Sequence, residues 1–260
     1  EYLRSLEKRR EEVSELITSA DCMTDEISAE LNSAQTLSEI DDIYRPFRPK
    51  RKTRASVAKA KGLEPLADAI FEQKKDSEYP IDMAESFVNT ELGVETPEDA
   101  LAGALDIIAE KISDDAGIRK RLRVVTAAQG EVVSKAAKKD EDSVYSQYYD
   151  FRQPVRKIAG HRVLAIDRGE RAGFLKVNIE LEKARGLNIV YSTCVKEGNN
   201  CTESVRKAGE DAYDRLIYPS IEREIRNGLT EEADEGAIKV FAVNLHQLLM
   251  QPPVKNKVAM

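Results

Sequence analysis

The chain has no tryptophan, only two histidines and three cysteines in 260 residues, and aromatic residues make up 6% of it. So few aromatic rings argue against a surface that binds single strands by stacking their bases. Three cysteines, Cys22, Cys194 and Cys201, cannot form a disulfide framework, and no nearby histidine completes a zinc site. We therefore expect free thiols, a reducing cytoplasm, and no metal or cofactor.

Signatures of catalysis and of membrane insertion are also missing. His161 and His246 are far apart, and the spacing supports no Ser–His–Asp, Cys–His or paired-carboxylate arrangement. No glycine-rich phosphate loop is present, and no apolar run approaches the ~20 residues needed to span a membrane. We expect a protein that is not an enzyme, has no catalytic residues and does not bind a membrane.

The most informative feature that is present is a basic segment, residues 45–61. It carries eight Lys and Arg residues and no acidic residue. Residues 1–44 carry four basic and twelve acidic residues, and residues 62–260 carry 28 and 35. A charge of +8 is therefore concentrated inside a chain whose net charge is −7. This segment is the one place where a polyanion would be attracted.

Two prolines, Pro46 and Pro49, predict that the basic segment begins as an extended, non-helical arm. Its cations could neutralise phosphates without reading a base sequence. The alternative is that they pair with the acids upstream, Glu39, Asp41 and Asp42, in surface ion pairs that contribute under ~1 kcal/mol each. The candidate nucleic-acid-binding residues are Arg48, Lys50, Arg51, Lys52 and Arg54.

Helical periodicity covers most of the chain, and its richness in Ala, Glu, Lys, Leu and Arg favours helices. We predict a mainly α, multi-helix scaffold of about ten helices, with a long one within residues 202–251. Residues 174–182 alternate strictly between apolar and polar, which predicts a half-buried strand. The β-branched run 187–195 is predicted as its partner, giving one small β-hairpin near 174–195.

Several blocks of sequence resemble the bacterial Tex family of transcription accessory proteins. The first is DIYRPFRPKRKTRA (42–55), followed by KGLEPLA (61–67). Further blocks keep the family's order, and the resemblance runs almost end to end: FVN (87–89), ALAGA (100–104), GHRVLA (160–165), EDAYDRL (210–216) and NLHQLL (244–249).

The resemblance implies a Tex-like N-terminal helical region with helix-turn-helix character over residues 1–130. It implies a second helical region over 131–260 that leads to a YqgF domain of ribonuclease-H-like fold. Helix-hairpin-helix modules and an OB-type RNA-binding domain would follow. Both ends of the chain are therefore expected to be cuts through a longer protein.

Two functions follow from this resemblance. The first is a non-catalytic scaffold that supports RNA or DNA binding, through the full-length protein, and transcription. The alternative is a protein-interaction scaffold that docks acidic partners of the transcription machinery or other domains of the same protein.

Overall fold

A computed structural model describes residues 2–48, 52–137 and 143–251 of the chain. It contains two compact units, each built from separated parts of the sequence. The first unit comprises residues 1–124 and 182–221, and the second comprises residues 125–181 and 222–260. The fold is mainly α, as predicted. None of the described helices combines the length and apolar character needed to cross a membrane.

Three helices begin the first unit: α1 (Tyr2–Ser19), α2 (Asp25–Ser33) and α3 (Leu37–Tyr44). The hydroxyls of Thr24 and Thr36 accept hydrogen bonds from the third residues of α2 and α3, which satisfies backbone donors that a helix start leaves free. Apolar side chains at helical spacing form the shared core of the three helices: Leu6, Val13, Ile17, Leu31, Ala34 and Ile40.

A long central helix organises the rest of the first unit. The helices are α4 (Arg54–Ala60), α5 (Glu64–Glu72), α6 (Pro80–Glu85), α7 (Pro97–Ser113) and α8 (Ala116–Gln129), and α8 continues into the second unit. The chain breaks between α4 and α5 at Gly62, which has φ +79°, a conformation that favours glycine. Helix α7 packs against α4, α5 and α6.

The long helix predicted within residues 202–251 is confirmed. After α9 (Gly160–Arg171) and α10 (Lys183–Cys194), α11 (Thr202–Asp211) passes through a π-helical segment, Ala212–Ile217, into α12 (Tyr218–Leu249). Pro219 lacks a backbone N–H and crowds the carbonyl four residues earlier, which belongs to Arg215. That residue lies in the π-helical segment, whose wider turn accommodates the proline without ending the helix.

The second unit is built on an antiparallel sheet. Its strands are β1 (Glu131–Ala136), β2 (Asp150–Pro154) and β3 (Leu175–Glu180), in the order β2-β1-β3. Helix α9 packs against β3. Side chains from β1, from β3, from the turn after β2 and from the buried side of α9 form one hydrophobic core. Its buried residues include Val132, Val155, Ile166, Leu175, Val177 and Ile179.

The predicted strand at residues 174–182 is confirmed as β3, but its predicted hairpin partner at 187–195 is wrong. That run is helical and lies in α10. The buried residues of α10 are Gly186, Ile189 and Val190, which recur at helical spacing. A short apolar run fits either a helix or a strand. The true partner of β3 is β1, which local sequence could not reveal because the paired residues are 39 to 49 positions apart.

Two helical glycines should respond in opposite ways to the same substitution. A Cβ on Gly186 would lie 2.3 Å from the Tyr213 hydroxyl, whereas a Cβ on Gly228 would meet nothing within 4 Å. We expect Gly186→Ala to lower the free energy of unfolding by about 1–3 kcal/mol through overpacking. Gly228→Ala should raise it by about 0.5–1 kcal/mol, because alanine favours helix interiors.

Urea unfolding followed by circular dichroism measures both effects on glycine substitution. A Gly186→Ala protein as stable as the unmodified chain would contradict the close approach of α10 to Tyr213.

Candidate nucleic-acid interface

The basic segment begins in a turn rather than in an extended arm. Arg45–Phe47 forms a 3-10 turn that continues α3, and the Arg48 N–H donates to the Tyr44 carbonyl at 3.1 Å. Phe47 packs against the core of α1, α2 and α3. The extended conformation predicted from Pro46 is therefore wrong for these residues, because burial of Phe47 outweighs the preference that a proline imposes on the residue before it.

Arg45 is a structural cation. Its guanidinium lies 3.4 Å from a carboxylate oxygen of Asp114. Burial lowers the pKa of Arg45, and the neighbouring charge of Arg119 acts in the same direction. Although Arg45 opens the basic segment, it is engaged within the first unit.

A second anchor holds the segment where α4 begins. The Thr53 hydroxyl accepts from the Ser56 N–H at 3.0 Å, and the Ser56 hydroxyl accepts from the Thr53 N–H at 2.8 Å. The Thr53 hydroxyl also lies 3.0 Å from a carboxylate oxygen of Glu110 on α7, to which it donates. Phe47 and Thr53, which precede and follow the candidate cations from Arg48 to Lys52, are thus both fixed to the first unit.

The structure leaves the described candidate cations at the surface. Arg48, Lys52 and Arg54 are exposed, and none of the three forms an ion pair with another described residue. Lys50 and Arg51 lie outside the described residues. Arg48 and Lys52 therefore present their charges to solvent, whereas the charge of Arg54 also acts on Asp106.

Two of the acids just upstream are occupied by other partners. Glu39 pairs with Lys120 at 2.6 Å, and Asp41 pairs with Arg9 at 2.7 Å. The hydrogen bond from Lys120 and a second one from the Gln35 N–H lower the pKa of Glu39. These two carboxylates therefore do not neutralise the described cations of the basic segment.

The third acid, Asp42, lies at the centre of a buried network. Its two carboxylate oxygens accept from Arg119 at 2.5 Å and from Arg123 at 2.6 Å. Arg119 is only 2% exposed and also donates to the Ser220 hydroxyl at 3.0 Å. Sequence reasoning missed this network. Arg119 and Arg123 lie one helical turn apart, which hints at a shared partner but does not identify it.

A surface concavity of about 590 Å³ lies beside the segment. Burial raises the pKa of Asp106 in this concavity, whereas the charges of Arg215 and Arg54 act in the opposite direction. Because cations and carboxylates are balanced, the concavity itself does not favour an anion. Its charged lining residues are Lys52, Arg54, Lys61, Glu95, Asp99 and Asp106.

The cysteines and carboxylates form no metal centre in the described part of the chain, where no group of three or more His, Cys, Asp and Glu side chains could hold an ion. Cys22, Cys194 and Cys201 are free. Burial raises the pKa of Cys194 to about 11, so this thiol carries little thiolate at neutral pH.

The chain matches the model of a family described as Tex central region-like over residues 75–241. The chain belongs to the Tex family. This confirms the resemblance of the sequence blocks to that family. The basic segment precedes the residues that the family model matches.

Individual relatives match nearly the whole chain, including the basic segment. The uncharacterized protein YdcI of Bacillus subtilis is 42% identical over 99% of this chain and 36% of its own length. Protein tex of Bordetella pertussis is 32% identical over 98% of this chain and 34% of its own length. The human S1 RNA-binding domain-containing protein 1 is 26% identical, and 27% of its length is covered. The chain thus spans about a third of the length of these relatives.

Removal of the central carboxylate should destabilise the first unit. Asp42→Asn leaves the buried Arg119 without a charged partner, and loss of one partner of a buried ion pair costs about 3–5 kcal/mol. Asp41→Asn is the matched control, because Asp41 is exposed and such pairs contribute under ~1 kcal/mol. Urea unfolding at neutral pH measures both free energies. Equal, small losses would show that the buried network does not stabilise the unit.

Proposed function

We propose that this chain is a non-catalytic helical scaffold of a Tex transcription accessory protein and supports binding of RNA or DNA. The basic segment contacts phosphates, with Arg48, Lys50, Arg51, Lys52 and Arg54 as the contacting residues. One observation carries the proposal: the described candidates are exposed and unpaired, while the nearest upstream acids pair with residues elsewhere in the unit.

The names of relatives support this proposal. One from Neisseria gonorrhoeae, 31% identical, is named transcriptional accessory protein Tex. The human relative is named for an S1 RNA-binding domain. Phosphate contacts suit such a role, because they supply salt-dependent affinity without sequence preference.

Base reading by α3 is not part of the proposal. A three-residue connection joins α2 to α3, as in many helix-turn-helix pairs, and the helix-turn-helix character stays a prediction. Helix α3 carries Glu39, Asp41 and Asp42 and no Lys or Arg. A recognition helix of this charge would be repelled by the phosphates that line a groove.

The lack of catalysis and a cytoplasmic location complete the proposal. Nuclease activity of the purified chain with added divalent metal would contradict the proposed lack of catalysis. The three free cysteines support the proposed cytoplasmic location, because reducing compartments keep thiols unpaired.

A second candidate function, a protein-interaction scaffold, is favoured by the end of α12. Ile238, Phe241, Leu245 and Leu248 follow one another at spacings of three and four, and their exposed fractions range from 42% to 67%. A contiguous apolar stripe of this kind is typical of a surface that contacts another protein.

Light scattering of the chain and of a Phe241→Glu, Leu245→Glu variant would test whether this apolar stripe is a contact surface. An unchanged mass and unchanged solubility of the variant would argue against it.

Neutralisation of the basic segment should weaken nucleic-acid binding. We expect replacement of the five candidate cations by glutamine to lower the slope of log affinity against log salt by up to about 3.5 for single strands, because each phosphate contact contributes about 0.7. Fluorescence anisotropy with labelled RNA and DNA, titrated at several salt concentrations, measures this slope.

The matched control changes the net charge equally at exposed lysines elsewhere: Lys8, Lys74, Lys75, Lys207 and Lys239, each to glutamine. The two variants should have clearly different slopes of log affinity against log salt. Equal slopes for both would show that only the net charge matters and that the basic segment is not a contact surface.

A further inference from the structure

Helix α9 segregates its charges between two faces. The acids lie on the face that meets the rest of the second unit. The Asp167 carboxylate accepts from the Thr230 hydroxyl at 2.7 Å. Glu170 accepts from Arg226 at 3.2 Å and from the Val177 N–H at 3.3 Å. Both acidic residues of α9 are therefore engaged internally and do not offset charges on its outer face.

The outer face of α9 is cationic. His161, Leu164, Arg168 and Arg171 follow one another at spacings of three, four and three, which places them on one side of the helix. The histidine and both arginines are exposed. Neither arginine forms an ion pair with another described residue.

Two further cations precede the helix. Arg156 and Lys157 are exposed in the 3-10 turn Val155–Lys157, and neither has an ion-pair partner among the described residues. The amide of Gln153 donates to the Lys157 carbonyl at 3.0 Å and accepts from Arg162 on α9 at 2.9 Å. The turn is thereby tied to the first turn of the helix. We refer to Arg156, Lys157, Arg168 and Arg171 as the α9 stripe.

The helix dipole does not account for the α9 stripe. Cations in the last turn of a helix are favoured by the dipole, and this applies to Arg168 and Arg171. Arg156 and Lys157 lie before the helix start, where the dipole disfavours cations. One acid, Glu232 of α12, lines the same cavity as His161, so the histidine is left out of the stripe.

We propose that the α9 stripe is a second surface that contacts the phosphate backbone of a nucleic acid. It rests on the proposed function, since the same polymer would bind, but it lies in the other compact unit and involves none of the residues of the basic segment. Successive phosphates of one strand are about 3.4 Å apart along a duplex axis. Arg168 and Arg171 are three residues apart on α9, or about 4.5 Å along its axis, so these two can contact neighbouring phosphates of one strand.

The test compares salt slopes for variants of the whole chain. The stripe variant is Arg156→Gln, Lys157→Gln, Arg168→Gln, Arg171→Gln. The charge-matched control is Lys8→Gln, Lys74→Gln, Lys75→Gln, Lys207→Gln, and all eight residues are exposed. Labelled single- and double-stranded RNA and DNA are the probes. We expect the stripe variant to lower the slope by about 3, because four contacts each contribute about 0.7–0.9, with an unchanged thermal unfolding curve.

The variant of the basic segment, measured beside these two, separates the two proposals. A stripe variant that behaves like its control overturns the second surface, and a slope lowered only by the basic-segment variant leaves the proposed function standing. A slope lowered only by the stripe variant would instead show that the basic segment is not the contact surface. Absence of binding by the unmodified chain at low salt contradicts both.

Discussion

The buried contact of Asp42 with two arginines is the interaction on which the first unit depends. It joins α3 to α8, and Arg119 extends it to the start of α12 through Ser220. Ions taken out of water require close partners, so this contact leaves the helices little freedom to shift against one another. The basic segment follows α3 directly, and its position therefore depends on a carboxylate that carries no exposed charge itself.

The same arrangement explains how an acidic chain can present cationic surfaces. In α3, Asp42 is drawn inward by Arg119 and Arg123. In α9, Glu170 is drawn inward by Arg226. Each internal arginine removes a carboxylate from the surface beside exposed cations. Because exposed charges more than about 10 Å apart are largely screened by salt, local arrangement outweighs the net charge of −7 in deciding where a polyanion is attracted.

Local features of the fold could be predicted from the sequence, whereas partners distant in the chain could not. Thr36 and Thr96 start helices because their hydroxyls satisfy the first free N–H groups, and both signals lie within four residues. The alternation that predicts β3 is equally local. The pairing of β3 with β1 depends on a core shared with α9, whereas the β-branched run in α10 is a local pattern that fits a strand equally well.

At the candidate site, too, contacts between residues distant in the chain could not be predicted from the sequence. Charge counting places Arg45 and Arg48 in one basic segment, yet Arg45 contacts Asp114, which lies far along the chain, and Arg48 is exposed. Arg45 lies in the turn whose Phe47 packs against the core, and Arg48 follows that turn. Because Phe47 and Thr53 are fixed to the first unit, the neighbouring Arg48, Lys52 and Arg54 extend from an ordered base. Side chains carried by an ordered backbone lose less conformational freedom when they bind, which favours binding by cations at this position.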